Sequence, residues 1–275
     1  MKNLILILTL ILFSSIALFG CTLGEKKENA LSHAILTHKL TVGVKCDSKP
    51  FGFIDENGEF AGFDVDVAKA VSYRLLNDEN AVEFVCVTPN SRISDLNTKK
   101  VDMLIAAMSI TQSRAAVVRF STPYYQAGQA IMVKDNSKIY SINDLNGANV
   151  GIVLGTTGEK SIRKLAPQAN LRAAKTYIEI FELLKNGEID AIFADDSMLY
   201  GILSDNKGYK ILPKRYTKEY YSIALRLSEG SDELERAVNE TLALMQEKGI
   251  LNKIKSKWIP NLHSLYKYDI ISTFG

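Results

Sequence analysis

Arg114 follows Ser109 by five residues in the segment Ala107-Met108-Ser109-Ile110-Thr111-Gln112-Ser113-Arg114. A guanidinium is a planar fork that grips a carboxylate with two parallel hydrogen bonds, which a lysine ammonium does not do. If a helix starts near Thr111, its free N–H groups and positive dipole end add further attraction for an anion. The chemistry expected of Ser109 and Arg114 is therefore capture of a carboxylate. A zwitterion taken out of water needs the converse partner as well, an acceptor for its ammonium. Asp190-Ala191-Ile192-Phe193-Ala194-Asp195 reads as a strand with a carboxylate at its carboxyl tip, so Asp195 is the candidate. It suits equally the N-cap of a helix through Met198 and Tyr200, and the two roles are compatible. Asp196 competes for both.

Other motifs are weaker alone. Gly151-Ile152-Val153-Leu154-Gly155-Thr156-Thr157-Gly158 is a strand, a glycine-bounded turn and a helix start, so Thr156 and Thr157 can aim N–H groups or hydroxyls at an anion. It lacks the Gly-Lys-Ser/Thr of a nucleotide P-loop, and an ordinary strand-to-helix cap is the alternative. Gly62-Phe63-Asp64-Val65-Asp66 predicts a helix with Asp64 as N-cap and Asp66 near the positive dipole end, a structural pair rather than an acid and base.

The elements that must carry these residues alternate. Leu40 to Lys45 predicts a strand, Asp64 to Leu76 a helix, Val82 to Thr88 a strand, Arg92 to Thr98 a helix and Val101 to Ala107 a strand, a βαβαβ unit. A second series runs through Asn149 to Val153, Thr157 to Leu165, Leu171 to Ala174, Ile178 to Lys185 and Ile189 to Ala194. Ser222 to Leu227 predicts a further strand, and two helices follow, Asp232 to Glu247 and Ile250 to Trp258. Two α/β lobes result, with crossovers near Tyr125 to Gln129 and near Glu219 to Ser222 that would form a hinge. Arg114 and Asp195 then lie at the carboxyl ends of strands in different lobes, where open α/β sheets take their ligands.

The chain of 275 residues is 47% apolar and 23% charged, with a formal net charge of +2. Its basic residues are spread along the sequence, which argues against a nucleic-acid partner. Lys2 and the apolar run Leu4 to Phe19 read as a secretory signal over residues 1–20. Leu18-Phe19-Gly20-Cys21 resembles a bacterial lipobox, which implies cleavage before Cys21, acylation of its thiol and amine, and a membrane anchor with a tether over 21–38. An uncleaved signal anchor is the alternative. Of the other cysteines, Cys46 and Cys86 are expected as two free, buried thiols, with a disulfide as the alternative. The only histidines, His33, His38 and His263, lie toward the ends of the chain, and neither a metal nor any other cofactor is expected.

The motifs Val42-Gly43-Val44-Lys45, Gly62-Phe63-Asp64-Val65-Asp66, Ser109-Ile110-Thr111-x-x-Arg114, Phe120-Ser121-x-Pro123-Tyr124-Tyr125, Gly155-Thr156-Thr157 and Asp190-Ala191-x-x-x-Asp195 occur in that order between Lys39 and Trp258. Together they resemble the polar amino-acid family of bacterial extracellular solute-binding proteins, family 3. The resemblance implies a type II periplasmic-binding-protein-like α/β fold, two lobes with mainly parallel sheets joined by two hinge crossovers. Its lobes are expected over 39–126 with 222–260 and over 127–221, followed by a tail over 261–275. It implies a monomer in the extracytoplasmic envelope that closes on an amino acid and delivers it to an ABC-transporter permease. Arg114 and Ser109 would take the α-carboxylate, Thr157 would add an N–H, and Asp195 would take the α-ammonium.

The positions where many members place stacking aromatics hold Ser48 and Pro89. Members resembling acidic amino-acid binders carry a lysine after the first strand and an Asn-Arg or Ser-Arg pair after the second, here Lys45 and Asn90-Ser91-Arg92. Arg114, Arg92 and Lys45 against Asp195 give a site of +2, which favours glutamate or aspartate; Asp47 would lower that count by neutralising Lys45. Two rivals remain: a dehydratase similar to cyclohexadienyl dehydratase, with Glu83 or Glu159 as acid, and a sensing protein for a membrane receptor.

Overall fold

Two five-stranded sheets, each parallel in its first half and antiparallel in its second, organise the chain. The structure is a computed structural model and describes residues 30–228 and 230–260. The first half of the chain contains α1 (Ala30–Thr37), β1 (Leu40–Val44), β2 (Asp47–Ser48), β3 (Gly52–Ile54), β4 (Phe60–Ala61), α2 (Phe63–Leu76), β5 (Val82–Cys86), α3 (Arg92–Asn97), β6 (Met103–Leu104), α4 (Gln112–Ala115), β7 (Val118–Ala127) and β8 (Gln129–Lys134). After a 3-10 turn at Ile142–Leu145 come β9 (Asn149–Val153), α5 (Thr157–Leu165), β10 (Asn170–Ala174), α6 (Tyr177–Asn186), β11 (Ala191–Asp195), α7 (Asp196–Asp205), β12 (Tyr209–Ile211), β13 (Glu219–Arg226), α8 (Ser231–Glu247) and α9 (Ile250–Trp258).

The sheet of the first lobe has the order β5-β1-β6-β13-β7 and that of the second β10-β9-β11-β8-β12. β1 pairs in parallel with β5 and β6, and β9 does so with β10 and β11. Helices cover these strands, so β1 and β9 bury residues on both faces and read as nearly continuous apolar runs. Both parallel halves point their carboxyl ends toward the other lobe.

The chain passes to the second lobe between β7 and β8 and returns on β13, and β7 and β13 lie side by side, with Glu219 opposite Ala127. Hydrogen bonds fasten the two crossovers together: Gln129 N donates to Thr217 Oγ1 at 3.0 Å, and Tyr216 N to Gln129 O at 2.8 Å. The long pair β7 and β13 is more than the sequence signalled, because Pro123 and the polar residues of β7 mask a strand whose faces meet different surroundings. The hairpin-like unit of β2, β3 and β4 was also not foreseen.

Four expectations are corrected. Cys46 and Cys86 form a disulfide, not two free thiols: the register places Val44 opposite Cys86, and the two cysteine Cα atoms are 5.5 Å apart. Asp64 is not an N-cap, since the helix starts at Phe63 with Gly62 in the cap position and Asp64 is fully buried. The run Val101 to Ala107 holds only a two-residue strand, β6, and ends where Ala107 takes a left-handed φ of 45°. Within the expected tether, α1 is a helix that buries Ala34 in the core. Cys21, the signal segment and the tail over 261–275 lie outside the described residues.

Candidate functional site

The ends of five strands meet in one cleft between the lobes. The segment after β1 supplies Lys45, that after β5 supplies Pro89 and Arg92, and the turn after β6 supplies Ala106, Ala107, Ser109 and, through α4, Arg114. From the second lobe, the turn after β9 supplies Thr156 and Thr157, α6 supplies Tyr177, and β11 supplies Asp195. All these side chains, with Met198, line a single cavity of about 20 Å³, space for roughly one water. The lobes are therefore closed on each other. Lys45, Arg92, Ser109, Arg114, Thr157 and Asp195, which the sequence singles out separately, are brought together here.

Arg114 is set by a local cap and two carbonyls. Thr111, N-cap of α4, accepts from the Arg114 backbone N–H at 3.2 Å. The guanidinium donates from Nη1 to Ser109 O at 2.7 Å and from Nη2 to Gly155 O at 3.0 Å, the second bond crossing the cleft. Arg92, 4% exposed, donates from Nη1 to Ala106 O at 2.8 Å while its buried Nε has no partner. Burial, and then the neighbouring Arg114 charge, lower the Arg92 pKa to about 9. Burial lowers that of Arg114 as well, against the opposing pull of Asp195 and Glu219. Both remain cations at neutral pH, and each is a desolvated charge that an anion would relieve.

Asp195 sits at the N-cap position of α7, with no cap hydrogen bond from its side chain. Its two oxygens accept from Gln129 Nε2 and from Tyr221 Oη. Gln129 belongs to one crossover and Tyr221 to the strand of the other. Burial, with the nearby Glu219 charge, raises the Asp195 pKa to about 7. Asp196 accepts from Gly128 N at 3.1 Å and pairs with Arg215 Nε at 2.7 Å, and it is not among the residues lining the cavity. Thr157 Oγ1 accepts from Gln129 Nε2 at 3.1 Å, and Thr156 Oγ1 donates to Val153 O at 2.7 Å.

Lys45 is buried and its Nζ donates to Asp47 Oδ1 at 2.6 Å, so the neutralisation weighed from the sequence is present. Burial lowers the Lys45 pKa, with the Asp47 charge opposing. Glu219, Gln129 and Tyr221 were missed as contributors to this site. All are buried and sit at the hinge: the antiparallel pairing of β8 with β11 sets Gln129 opposite Asp195, and β13, paired with β7, brings Glu219 and Tyr221 to it. Neither Glu83 nor Glu159 lines the cavity: Glu83 pairs with Lys39 and Glu159 faces Arg163 at 3.8 Å. Among the described residues no cluster of metal-ligand side chains is found, and no helix is long and apolar enough to cross a membrane.

A second, larger cavity of about 280 Å³ adjoins the first across Tyr177 and Met198 and is lined from both lobes by Cys46, Asp47, Phe181 and Ile202 among others. At its rim Lys49 Nζ and Asp205 Oδ2 form an exposed ion pair of 2.9 Å between the lobes. Beside it Gly201 lies so close to the first lobe that an added Cβ would be 1.8 Å from Lys49 O.

The profile of the bacterial extracellular solute-binding proteins, family 3, matches residues 40–261. The chain is 35% identical over 269 residues to the ABC transporter glutamine-binding protein GlnH of Bacillus subtilis (strain 168), covering 94% of this chain and 98% of that relative. It is 41% identical over 187 residues to the glutamine-binding protein of Geobacillus stearothermophilus, covering 67% and 71% of the two chains. Among solved structures it is similar to an ancestral arginine-binding protein bound to glutamine, with a TM-score of 0.74 and 38% identity over 80% of this chain and 97% of that one.

Proposed function

The chain belongs to the bacterial extracellular solute-binding proteins, family 3, and on that premise we propose that it is the receptor of an amino-acid ABC transporter. It closes its lobes on an L-amino acid and hands it to a membrane permease without making or breaking a covalent bond. The observation that carries this is the placement of Arg114 and Asp195, one from each lobe, on the walls of one cavity. Arg114, Ser109 and the N–H of Thr157 take the α-carboxylate, and Asp195 takes the α-ammonium. Because these groups sit on different lobes, the ligand binds the closed state better than the open one and shifts the population toward it.

The ligand favoured is L-glutamine. Counting Asp47 against Lys45, and the buried Glu219 with Asp195 against Arg92 and Arg114, brings the charge of the site and its surroundings to zero (three cations, three carboxylates). A neutral zwitterion suits that count. The Lys45–Asp47 pair also offers a donor and an acceptor together, as a side-chain amide requires, and two relatives named for glutamine support the choice. Glutamate, the expectation from sequence, stays as the second reading because Arg92 keeps an unpartnered, buried Nε.

The protein is further proposed to be a monomer outside the cytoplasmic membrane, held there by lipid on Cys21, with the lobes divided at 126/127 and 221/222. Support for the anchor is the lipobox-like sequence alone. Calorimetric titration of the protein, freed of co-purified ligand by unfolding and refolding, with the twenty amino acids tests the main reading. One-to-one binding of glutamine, absent in Arg114→Ala, is expected. Binding of glutamate instead selects the second reading, and no binding of any amino acid removes both.

A further inference from the structure

We infer that Asp64 is a positioning residue of this site: it holds the turn from Ala106 to Ser109, whose backbone anchors both guanidinium groups. The inference rests on the amino-acid reading of the cleft given above. Asp64 is fully buried near the start of α2, where neither capping nor surface charge accounts for it. The helix has Gly62 at its cap, and Asp66, two residues on, is the one that meets Lys257 and Trp258.

The Asp64 carboxylate looks instead to distant parts of the chain. Oδ2 accepts from Ala107 N at 2.7 Å, and Oδ1 accepts from Tyr124 Oη at 2.8 Å. Ala107 has a φ of 45°, a left-handed conformation that residues with a Cβ adopt rarely. A bond from its N–H to the Asp64 carboxylate ties that conformation to α2. On one side of Ala107, the Ala106 carbonyl accepts from Arg92 Nη1 at 2.8 Å. On the other, the Ser109 carbonyl accepts from Arg114 Nη1 at 2.7 Å. Ala106, Ala107 and Ser109 themselves line the cavity. If the turn relaxed out of its left-handed form, both carbonyls would swing and the two cations would lose their shared aim at the ligand.

The test is a rescue series read by titration with L-glutamine and L-glutamate, with thermal midpoints recorded in parallel. Asp64→Ala is expected to weaken binding by about tenfold or more. Adding Ala107→Gly is expected to restore affinity to within about threefold of wild type, because glycine takes a positive φ without the Cβ penalty. Asp64→Asn, which keeps an acceptor for the Ala107 N–H, is expected to stay within about threefold as well. Should Asp64→Ala not fold, Asp64→Ser, too short to reach Ala107, replaces it in the same comparison. Wild-type affinity in Asp64→Ala, or a loss that Ala107→Gly leaves untouched, overturns the inference while the amino-acid reading stands. Failure of the wild type to bind either amino acid overturns that reading, and the inference with it.

Discussion

Arg114 on the first lobe donates from Nη2 to the backbone carbonyl of Gly155 on the second at 3.0 Å, while its Nη1 is held by Ser109 O on its own lobe. The same guanidinium thus bridges the cleft and faces the cavity. Arg114→Lys keeps the charge but loses the fork, and amino-acid binding is expected to weaken by at least about 100-fold. The thermal midpoint of the protein without ligand should move far less, since the residue is not part of any apolar core cluster. Calorimetric titration beside a melting curve checks both parts.

Affinity should fall on the acid side of neutrality. Burial, helped by the Glu219 charge, raises the Asp195 pKa to about 7 with the lobes closed. A ligand ammonium favours the ionised carboxylate, so below that pH binding must expel a proton from Asp195. From about pH 7 to about pH 5 the affinity is expected to drop by up to about tenfold per unit. Above about pH 7 it should level off. Asp64, also raised to about 7 by burial, carries the same charge whether or not ligand is bound as long as its surroundings do not change, so it adds no slope. Titrations in buffers of different ionisation enthalpy count the proton released, and an affinity that is flat or rises toward acid contradicts the assignment.

How much of this was legible in the chain follows from how local each signal is. The parallel half of each sheet was readable because β1, β5, β9 and β11 are short apolar runs separated by amphipathic helices; Thr157 follows β9, Asp195 ends β11, and Arg114 comes after the apolar run Val101 to Ala107. Asp64 was misread because its partners, Ala107 and Tyr124, are 43 and 60 residues away, and nothing in its neighbours announces them. Glu219 and Gln129 escaped for the same reason: Gln129 comes opposite Asp195 only when β8 pairs with β11, 66 residues on, and Glu219 only when the chain returns on β13. Lys45 and Asp47 stand two residues apart, and their pairing was weighed from sequence; only the burial of Lys45 decides it.

The disulfide closes a segment whose ends are 40 residues apart and ties the carboxyl ends of β1 and β5, beside Lys45 and Asp47. Chain-entropy reasoning puts its contribution at about 3–4 kcal/mol. The Cys46→Ser, Cys86→Ser double variant should therefore unfold at lower denaturant, and its affinity for the ligand should fall because the loop that carries the Lys45–Asp47 pair loses its tie to β5. Chemical unfolding and titration, each with and without reductant on the wild type, check the two effects.

Gly201 allows α7 to approach the Lys49 carbonyl, where an added Cβ would sit at 1.8 Å. Gly201→Ala should hold the lobes apart in a residue that is not among those lining the smaller cavity. Affinity is expected to fall by about tenfold, and small-angle scattering with saturating ligand should show a larger radius of gyration than the wild type gives. Wild-type values for both would mean that this contact does not govern closure.

The most direct test of an amino acid clamped between Arg114 and Asp195 is to block each end of the ligand in turn. Titration of the wild type with L-glutamine, N-acetyl-L-glutamine and the α-amide of L-glutamine is expected to show binding of the first alone, with each blocked form weaker by at least about 100-fold, because one buried charge then lacks its partner. Equal binding of either blocked form would contradict the placement of the α-carboxylate on Arg114 or of the α-ammonium on Asp195.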